Sequence, residues 1–399
     1  MRTGACWSKR ATEKTSMRRQ ALAASITAAN AALYQLTRPM IYAGSAQAAH
    51  ENVLRVLKRV DGNAWLQRSF RALQAVSFPP EATSRVSVGG VDLPHPLILA
   101  AGFVKGRGFN SEAEALAAVR AGENIIPGWR TMPALVGAVE FGSFTRHPRI
   151  GNAGTVIWRH TERRTTQNRV GLKNPGAVAA ASFLYQHLPD LPSLFGVNIA
   201  PTPAVDDPAQ IKTDVIDSIR AFIARGVRPA WFTLNLSCPN TEDDPGGHQT
   251  TDHARDLCGT VVDFLREYVA GSIPLWVKVS PCLSAAQYHG LMAAFAETGV
   301  QAVIATNTLG APSPDDPTIN AGIGGADLHA HALQAVRYLH ETRTAHRHPV
   351  DIIACGGVQD PISYHAFKSA GADAAQYWSA LVFKGPLAAA RILQEDITP

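Results

Sequence analysis

Cysteine is scarce and poorly placed for a scaffold. Five occur in 399 residues, at Cys6, Cys238, Cys258, Cys282 and Cys355, an odd number with no CxxC pair. Neither a disulfide framework nor a zinc site is indicated, and reduced thiols are the simplest account. No uninterrupted apolar run is long enough to cross a bilayer. The first twenty residues, MRTGACWSKRATEKTSMRRQ, lack the apolar middle of a secretory signal. Charge is also sparse: charged residues are 17% of the chain and the formal net charge is +5. Much of that excess sits in residues 1–20, which read as a basic leader without structure, although their Arg, Lys, Ser and Thr content also suits an organellar transit peptide. With the basic residues concentrated there and no recognition motif elsewhere, no nucleic-acid role is expected.

What is present is a large apolar fraction, 46%, enough for a sizeable core. The length fits two domains or one α/β barrel with an appendage. Residues 21–77 read as helical. In AHENVLRVLKRV, Val53, Val56, Leu57 and Val60 share one face, and AWLQRSFRALQAV carries Trp65, Leu66, Phe70 and Leu73 beside Arg68 and Arg71. Apolar faces rimmed by basic residues suit a helix on a membrane surface; by pattern alone, packing of both helices on the main domain is the preferred reading. The paired prolines of SFPPEATS end the helical region.

Beyond this break, short apolar runs recur, each followed by polar or glycine residues and then a helical segment. They are PLILAAG (96–102), AVEFGS (138–143), FGVNIA (195–200), WFTLNLS (231–237), LWVKVS (275–280), AVIATN (302–307), DIIACGG (351–357) and AAQYWSAL (374–381). Continuous rather than alternating hydrophobicity marks buried parallel strands. Eight such strands alternating with helices predict a (β/α)8 TIM barrel, with a doubly wound sheet as the alternative.

Barrel chemistry gathers at the C-terminal ends of strands. Those positions hold Lys105, Ser143, Asn198, Asn235, Cys238, Asn240, Lys278, Thr306, Asn307, Thr308, Gly356, Gly357, Trp378 and Ser379. The set is rich in carboxamides, with two lysines, one thiol and no carboxylate pair. A carboxamide offers both a donor and an acceptor, so several together suit a planar ligand of alternating N–H and C=O groups, such as an imide or pyrimidine. A nearby lysine suits a carboxylate or anionic ring. The glycines after strand seven, with a hydroxyl in strand eight, suit a phosphate. Any one of these features alone is weak, since an Asn is more often a turn residue and CGG is commonly just a turn.

The segments LILAAGFVKGRG, VEFGSFT followed by GN, NRVGLKNPG, GVNIA, LNLSCPNT, VKVSP, ATNTLG, ACGGV and QYWSALVFKGP occur in this order. From about Leu33 to near the C-terminus the chain thereby resembles the dihydroorotate dehydrogenases, FMN enzymes of pyrimidine synthesis. The piece LYQLTRPMIYAGSAQAAHENVLRVLKRVD is similar to the helical extension of the membrane-associated, quinone-reducing class, which moves the preference for the two helices to the membrane reading. The resemblance implies a leader (1–20), a membrane- and quinone-associated extension (21–77) and an FMN-binding barrel (78–399). It also implies dihydroorotate as substrate, a quinone acceptor and a peripheral seat on the cytoplasmic face of a bacterial inner membrane, or alternatively on the mitochondrial inner membrane. By the same resemblance Ala101, Gly102, Lys105, Ser143, Asn198, Asn235, Lys278, Thr306, Gly325, Gly357, Trp378 and Ser379 hold FMN. The substrate meets Lys105, Asn168, Arg169, Gly171, Asn235, Asn240, Asn307 and Thr308. Cys238 stands at the catalytic-base position, and Lys278 stabilises the reduced flavin. No metal is implied. Cys258, Cys282 and Cys355 are read as structural.

The chain departs from the family pattern in several places. Its base is Cys, as in the soluble class, where the membrane class has Ser. Val104 replaces an Asp, Trp378 replaces a Tyr, AGIGG stands where a GGLSG-like turn is expected, and ENIIPGWRTMPALVG looks like an insertion. The loop TEDDPGGHQT is unusually acidic and glycine-rich. A paralogue acting on another dihydropyrimidine-like cyclic amide or using a soluble acceptor, and an inactive FMN-binding protein docked on membranes, are the alternative readings.

Overall fold

All eight continuous apolar runs become parallel strands of one closed barrel. In chain order these are β1 (Leu97–Leu99), β2 (Val139–Phe144), β3 (Phe195–Ile199), β4 (Trp231–Asn235), β5 (Leu275–Val279), β6 (Ala302–Ala305), β7 (Asp351–Cys355) and β8 (Ala374–Tyr377). Each pairs with its neighbours in sequence, and β8 closes on β1 with Gln376 opposite Ile98. The computed structural model describes residues 4–78, 85–236, 251–269 and 273–394.

The runs are continuously apolar because both faces of every strand are covered. Outward residues such as Phe232, Leu234 and Val277 join the core beneath the surrounding helices, while Ile98, Trp231, Trp276, Ala302, Ile304, Ile353 and Ala374 form a second cluster inside the barrel. Trp231 and Trp276 stack there with centroids 4.4 Å apart. The stack needs Gly196 on β3: a Cβ at that position would lie 2.0 Å from the Trp231 ring. An antiparallel hairpin, Val86–Val88 with Val91–Leu93, covers the N-terminal end of the barrel. Its turn accepts a hydrogen bond from Trp276 Nε1 at Gly89 O (2.9 Å) and donates from Gly89 N to Asp351 (2.7 Å). With that end sealed, the opening lies at the strands' C-terminal ends.

Segments that follow β2 and β6 build a small antiparallel sheet, in the order Leu309–Pro312, Asn320–Gly325, Thr165–Asn168 and Ile157–His160. It carries Asn168 and Gly325 to the barrel mouth.

Three helices precede the barrel: α1 (Gly4–Tyr42), α2 (Ala46–Val60) and α3 (Ala64–Ser77). Where the sequence suggests an unstructured leader over residues 1–20, the chain is helical from Gly4. The segment is rich in Ala and other good helix formers and meets no proline before Pro39. Ser45 caps α2 by accepting from Ala48 N, and Asn63 caps α3 by accepting from Trp65 N and Leu66 N.

The helices do pack on the barrel. Leu57, Leu54, Phe70 and Leu73 join its core. The Tyr34 and Tyr42 hydroxyls both donate to Val382 O, and Arg159 lies over the Tyr42 ring at 3.7 Å. Between α2 and α3, the buried Asp61 accepts from Gly128 N (2.7 Å), Asn124 Nδ2 (2.8 Å), Thr131 N (3.0 Å) and Thr131 Oγ1 (2.7 Å). The insertion-like segment before β2 is therefore the platform on which the extension docks; its helix Thr131–Val136 is buried throughout. Other apolar side chains of the three helices stay exposed, among them Leu33, Leu36, Met40, Val56 and Trp65. Among the described residues no helix is long and apolar enough to cross a membrane.

Candidate active site

The barrel mouth opens into a cavity of about 430 Å³, roofed on one side by α2. Gln47, His50, Glu51 and Leu54 of α2 line it, and Gln47 Oε1 accepts from Val156 N at 2.9 Å. Six cationic side chains, Arg55, Lys58, Lys105, Arg107, Lys173 and Lys278, meet one carboxylate, Glu51, among the described lining residues. Two of the six are engaged outside, since Lys58 and Arg107 both pair with Glu123. The remaining excess favours anionic ligands. It also acts on His50, whose pKa is pushed down to about 4 by burial and by Lys105 and Lys173.

The strand ends supply the polar floor. Asn198 and Lys278 project inward from β3 and β5, and Asn235 ends β4. Asn235 Nδ2 donates to Ser143 Oγ (3.3 Å), and its Oδ1 accepts from Asn307 Nδ2 (3.2 Å). Thr308 N donates to Asn307 Oδ1 at 2.8 Å. Thr306 is fully buried and donates to Asn307 O. Lys278 Nζ donates to Gln376 Oε1 at 3.1 Å and lies 3.4 Å from Cys355 Sγ.

Four buried polar atoms of the lining residues have no hydrogen-bond partner among the described residues: Asn198 Oδ1, Thr308 Oγ1, Gln359 Oε1 and Tyr377 OH. An orphaned buried acceptor costs free energy unless a ligand supplies the donor. At the corner between β7 and β8, Gly325 and Gly357 both have positive φ, and a Cβ at Gly357 would meet Gly325 O at 2.9 Å. Backbones this close leave room for a bulky anion beside them. Ser379 Oγ, 2.8 Å from Thr166 Oγ1, and Trp378 complete that corner.

Sixteen of the residues that the resemblance assigns to FMN or substrate line this one cavity. Ala101, Gly102, Lys105 and Ser143 come from the β1 and β2 ends, and Asn198, Asn235, Lys278 and Thr306 from the floor. Gly325, Gly357, Trp378 and Ser379 form the β7–β8 corner, and Asn168, Gly171, Asn307 and Thr308 face them. Arg169 departs from the expectation. It is absent from the lining among the described residues, and its guanidinium donates to Ala153 O at 3.2 Å. Cys238 and Asn240 lie outside the described residues, as does the loop 241–250.

The thiols also differ from the expectation. Cys258 is buried and structural, but Cys282 is exposed and Cys355 lines the cavity. Glu140, Gln376, Cys355 and His50 are the site residues that sequence reasoning missed. A charged residue in the middle of a continuous apolar strand, Glu140 within AVEFGS, was the available signal. Val104 is no loss to the cavity, because its side chain sits fully buried in the core.

A family model for dihydroorotate dehydrogenase matches residues 83–397, most of the chain. The chain belongs to the dihydroorotate dehydrogenase family. Among curated relatives, the dihydroorotate dehydrogenase (quinone) of Chloroflexus aurantiacus is 30% identical over 378 residues, covering 90% of this chain and 95% of that one. Those of Sphingopyxis alaskensis and Mycobacterium tuberculosis are each 31% identical; the first covers 90% of this chain and 91% of its own, the second 88% and 90%. Among solved structures, the ligand-free dihydroorotate dehydrogenase of Eimeria tenella superposes with a TM-score of 0.64 at 23% identity, over 78% of this chain and 86% of that one. This likeness bears on the fold alone.

Proposed function

We propose that the chain is an FMN-dependent dihydroorotate dehydrogenase that oxidises dihydroorotate to orotate in pyrimidine biosynthesis and passes the electrons to a quinone. Its relatives of similar length carry the name dihydroorotate dehydrogenase (quinone), and the family is generally flavin-dependent. The observation that carries the reading is the pairing of a cationic, carboxamide-floored cavity with a buried acceptor, Asn198 Oδ1, that lacks a donor among the described residues.

Bound FMN supplies a two-electron acceptor for the substrate hydride. In this reading Asn198, Thr306 and Lys278 hold its ring system, and the Gly325–Gly357 corner with Ser379 and Trp378 receives its phosphate. Lys278, 6% exposed and without a carboxylate contact among the described residues, places a positive charge where negative charge gathers on reduction. Asn235 and Asn307, already linked, orient the substrate ring with Asn168, while Lys105 meets the substrate carboxylate. Cys238 follows Asn235 by three residues, a tether of at most roughly 11 Å from the end of β4. We assign it the removal of the substrate's carbon-bound proton. A thiol near its ordinary pKa of about 8.5 is a far better base at neutral pH than an alcohol.

The extension and the barrel divide this work: α1–α3 form the quinone- and membrane-facing part, and residues from 78 onward the catalytic domain. Support comes from the α2 residues at the cavity wall and from the exposed Leu33, Leu36, Met40, Val56 and Trp65. A peripheral seat on a bacterial inner membrane follows from this reading.

Anaerobic titration with dihydroorotate tests it. The visible flavin absorbance of the purified protein should bleach stoichiometrically and return on adding a short-chain benzoquinone. A yellow protein that dihydroorotate never bleaches overturns the substrate assignment. Reoxidation by fumarate but not by quinone overturns the acceptor.

A further inference from the structure

Glu140 is a fully buried carboxylate inside the barrel, beneath the cavity floor. Four donors converge on it from three strands. Trp231 Nε1 (3.1 Å), Thr233 Oγ1 (2.8 Å) and Gln376 Nε2 (3.0 Å) share Oε2, while Asn198 Nδ2 (2.8 Å) alone binds Oε1. A carboxylate can only accept, so each carboxamide that meets it must turn its NH2 downward. Two consequences follow at the floor. Gln376 presents its carbonyl oxygen to Lys278 Nζ at 3.1 Å, and Asn198 presents its own, buried and unpartnered, towards the ligand.

We infer that Glu140 is a positioning residue that sets the polarity of the cavity floor: by holding the Asn198 NH2 group it makes Asn198 an acceptor for a ring N–H of the bound heterocycle. The inference rests on the flavin reading, because oxidised isoalloxazine carries one ring N–H, that of its imide. The two carboxylate oxygens are not equivalent. Three donors on Oε2 would force the carbonyl of a glutamine at position 140 to occupy that side, leaving its NH2 group against Asn198. Asn198 would then have to flip, presenting N–H to the imide N–H. The Gln376–Lys278 arm would remain as it is.

The test compares binding of FMN and of N3-methyl-FMN, which lacks the imide donor, to the full-length wild type and Glu140→Gln, by flavin fluorescence. Wild type should prefer FMN. In Glu140→Gln, FMN binding should weaken roughly tenfold to a hundredfold, the scale of one unsatisfied buried group, while N3-methyl-FMN changes little, so that the preference collapses. Equal weakening of both flavins, as general loosening of the barrel would produce, overturns the assignment. So does an unchanged preference, or a wild type with none. A wild type that binds neither flavin instead removes the flavin reading and the assignment with it. Should Glu140→Gln not fold, Glu140→Asp keeps the charge but draws it back from Asn198. It too should lose the preference, and a folded Glu140→Asp that retains it overturns the assignment.

Discussion

Two thiols compete for the role of base, and the surroundings of Cys355 count against it. Cys355 lines the cavity, yet burial pushes its thiol up and the neighbouring Lys278 only partly offsets that. It lies beside the lysine at the floor, 3.4 Å from Nζ. Cys238 follows Asn235, which is proposed to hold the substrate, by three residues in the sequence. Cys238→Ala should therefore leave flavin binding intact and slow flavin reduction by dihydroorotate about 10²–10⁴-fold, the usual worth of a positioned base. Stopped-flow absorbance would measure this, and an unchanged rate would remove Cys238 from the mechanism. The sequence showed Cys238 as a candidate by its place after a strand end, and the family resemblance implied the base role. It did not distinguish Cys355 from a structural thiol, because the partner that makes it interesting is 77 residues away.

At the scale of elements, the joint between α2 and α3 is a hydrogen-bonded anchor of the extension, beside the Tyr34 and Tyr42 bonds to Val382 O. Asp61 takes four hydrogen bonds from the segment 124–131, and Gln67 Nε2 adds one to Thr131 Oγ1 at 2.9 Å. Asp61→Asn keeps the size but offers one acceptor oxygen for four donors, leaving buried N–H groups facing an NH2. It should destabilise the protein by about 2–4 kcal/mol, read from the midpoint of urea unfolding. Quinone turnover should suffer before flavin reduction does, since α2 roofs the cavity. The same geometry makes a clean deletion of residues 1–77 unsuitable as a probe of the membrane role, because it would strip Leu54, Leu57, Phe70 and Leu73 from the core. The amphipathic pattern of these helices was legible. Which apolar residues face the barrel and which face outward was not, because both sets share the same period and differ only in what covers them.

The whole molecule carries a pH dependence built from imidazoles that folding keeps neutral. His95, 1% exposed and stacked on Phe78 at 4.4 Å, has its pKa pushed down to about 4 by burial, as does His50 with added repulsion from Lys105 and Lys173. Their ordinary value is 6.5. Between 6.5 and about 4 the unfolded chain therefore binds more protons than the folded one, and stability must fall as pH is lowered through that window. The stabilisation is fully present above pH 6.5. For His95 the loss amounts to about 3 kcal/mol, and His95→Gln should flatten that part of the stability curve measured by urea unfolding from pH 7 to pH 4. An unaltered slope would mean that His95 titrates normally in the fold.

By itself the sequence determined the barrel and the identity of its mouth. Buried parallel strands are apolar on both faces, so they stand out as eight runs, and the rule that chemistry collects at their C-terminal ends then selects Asn198, Asn235, Lys278 and Asn307 without any coordinates. Only the tertiary structure decided how those groups are aimed. Asn198 and Gln376 owe their orientation to Glu140, which reaches them from another strand. Hydrophobic pattern is a property of neighbours along the chain and can be read there. The direction of a hydrogen bond depends on groups far apart in sequence, and only closure of the barrel brings them together.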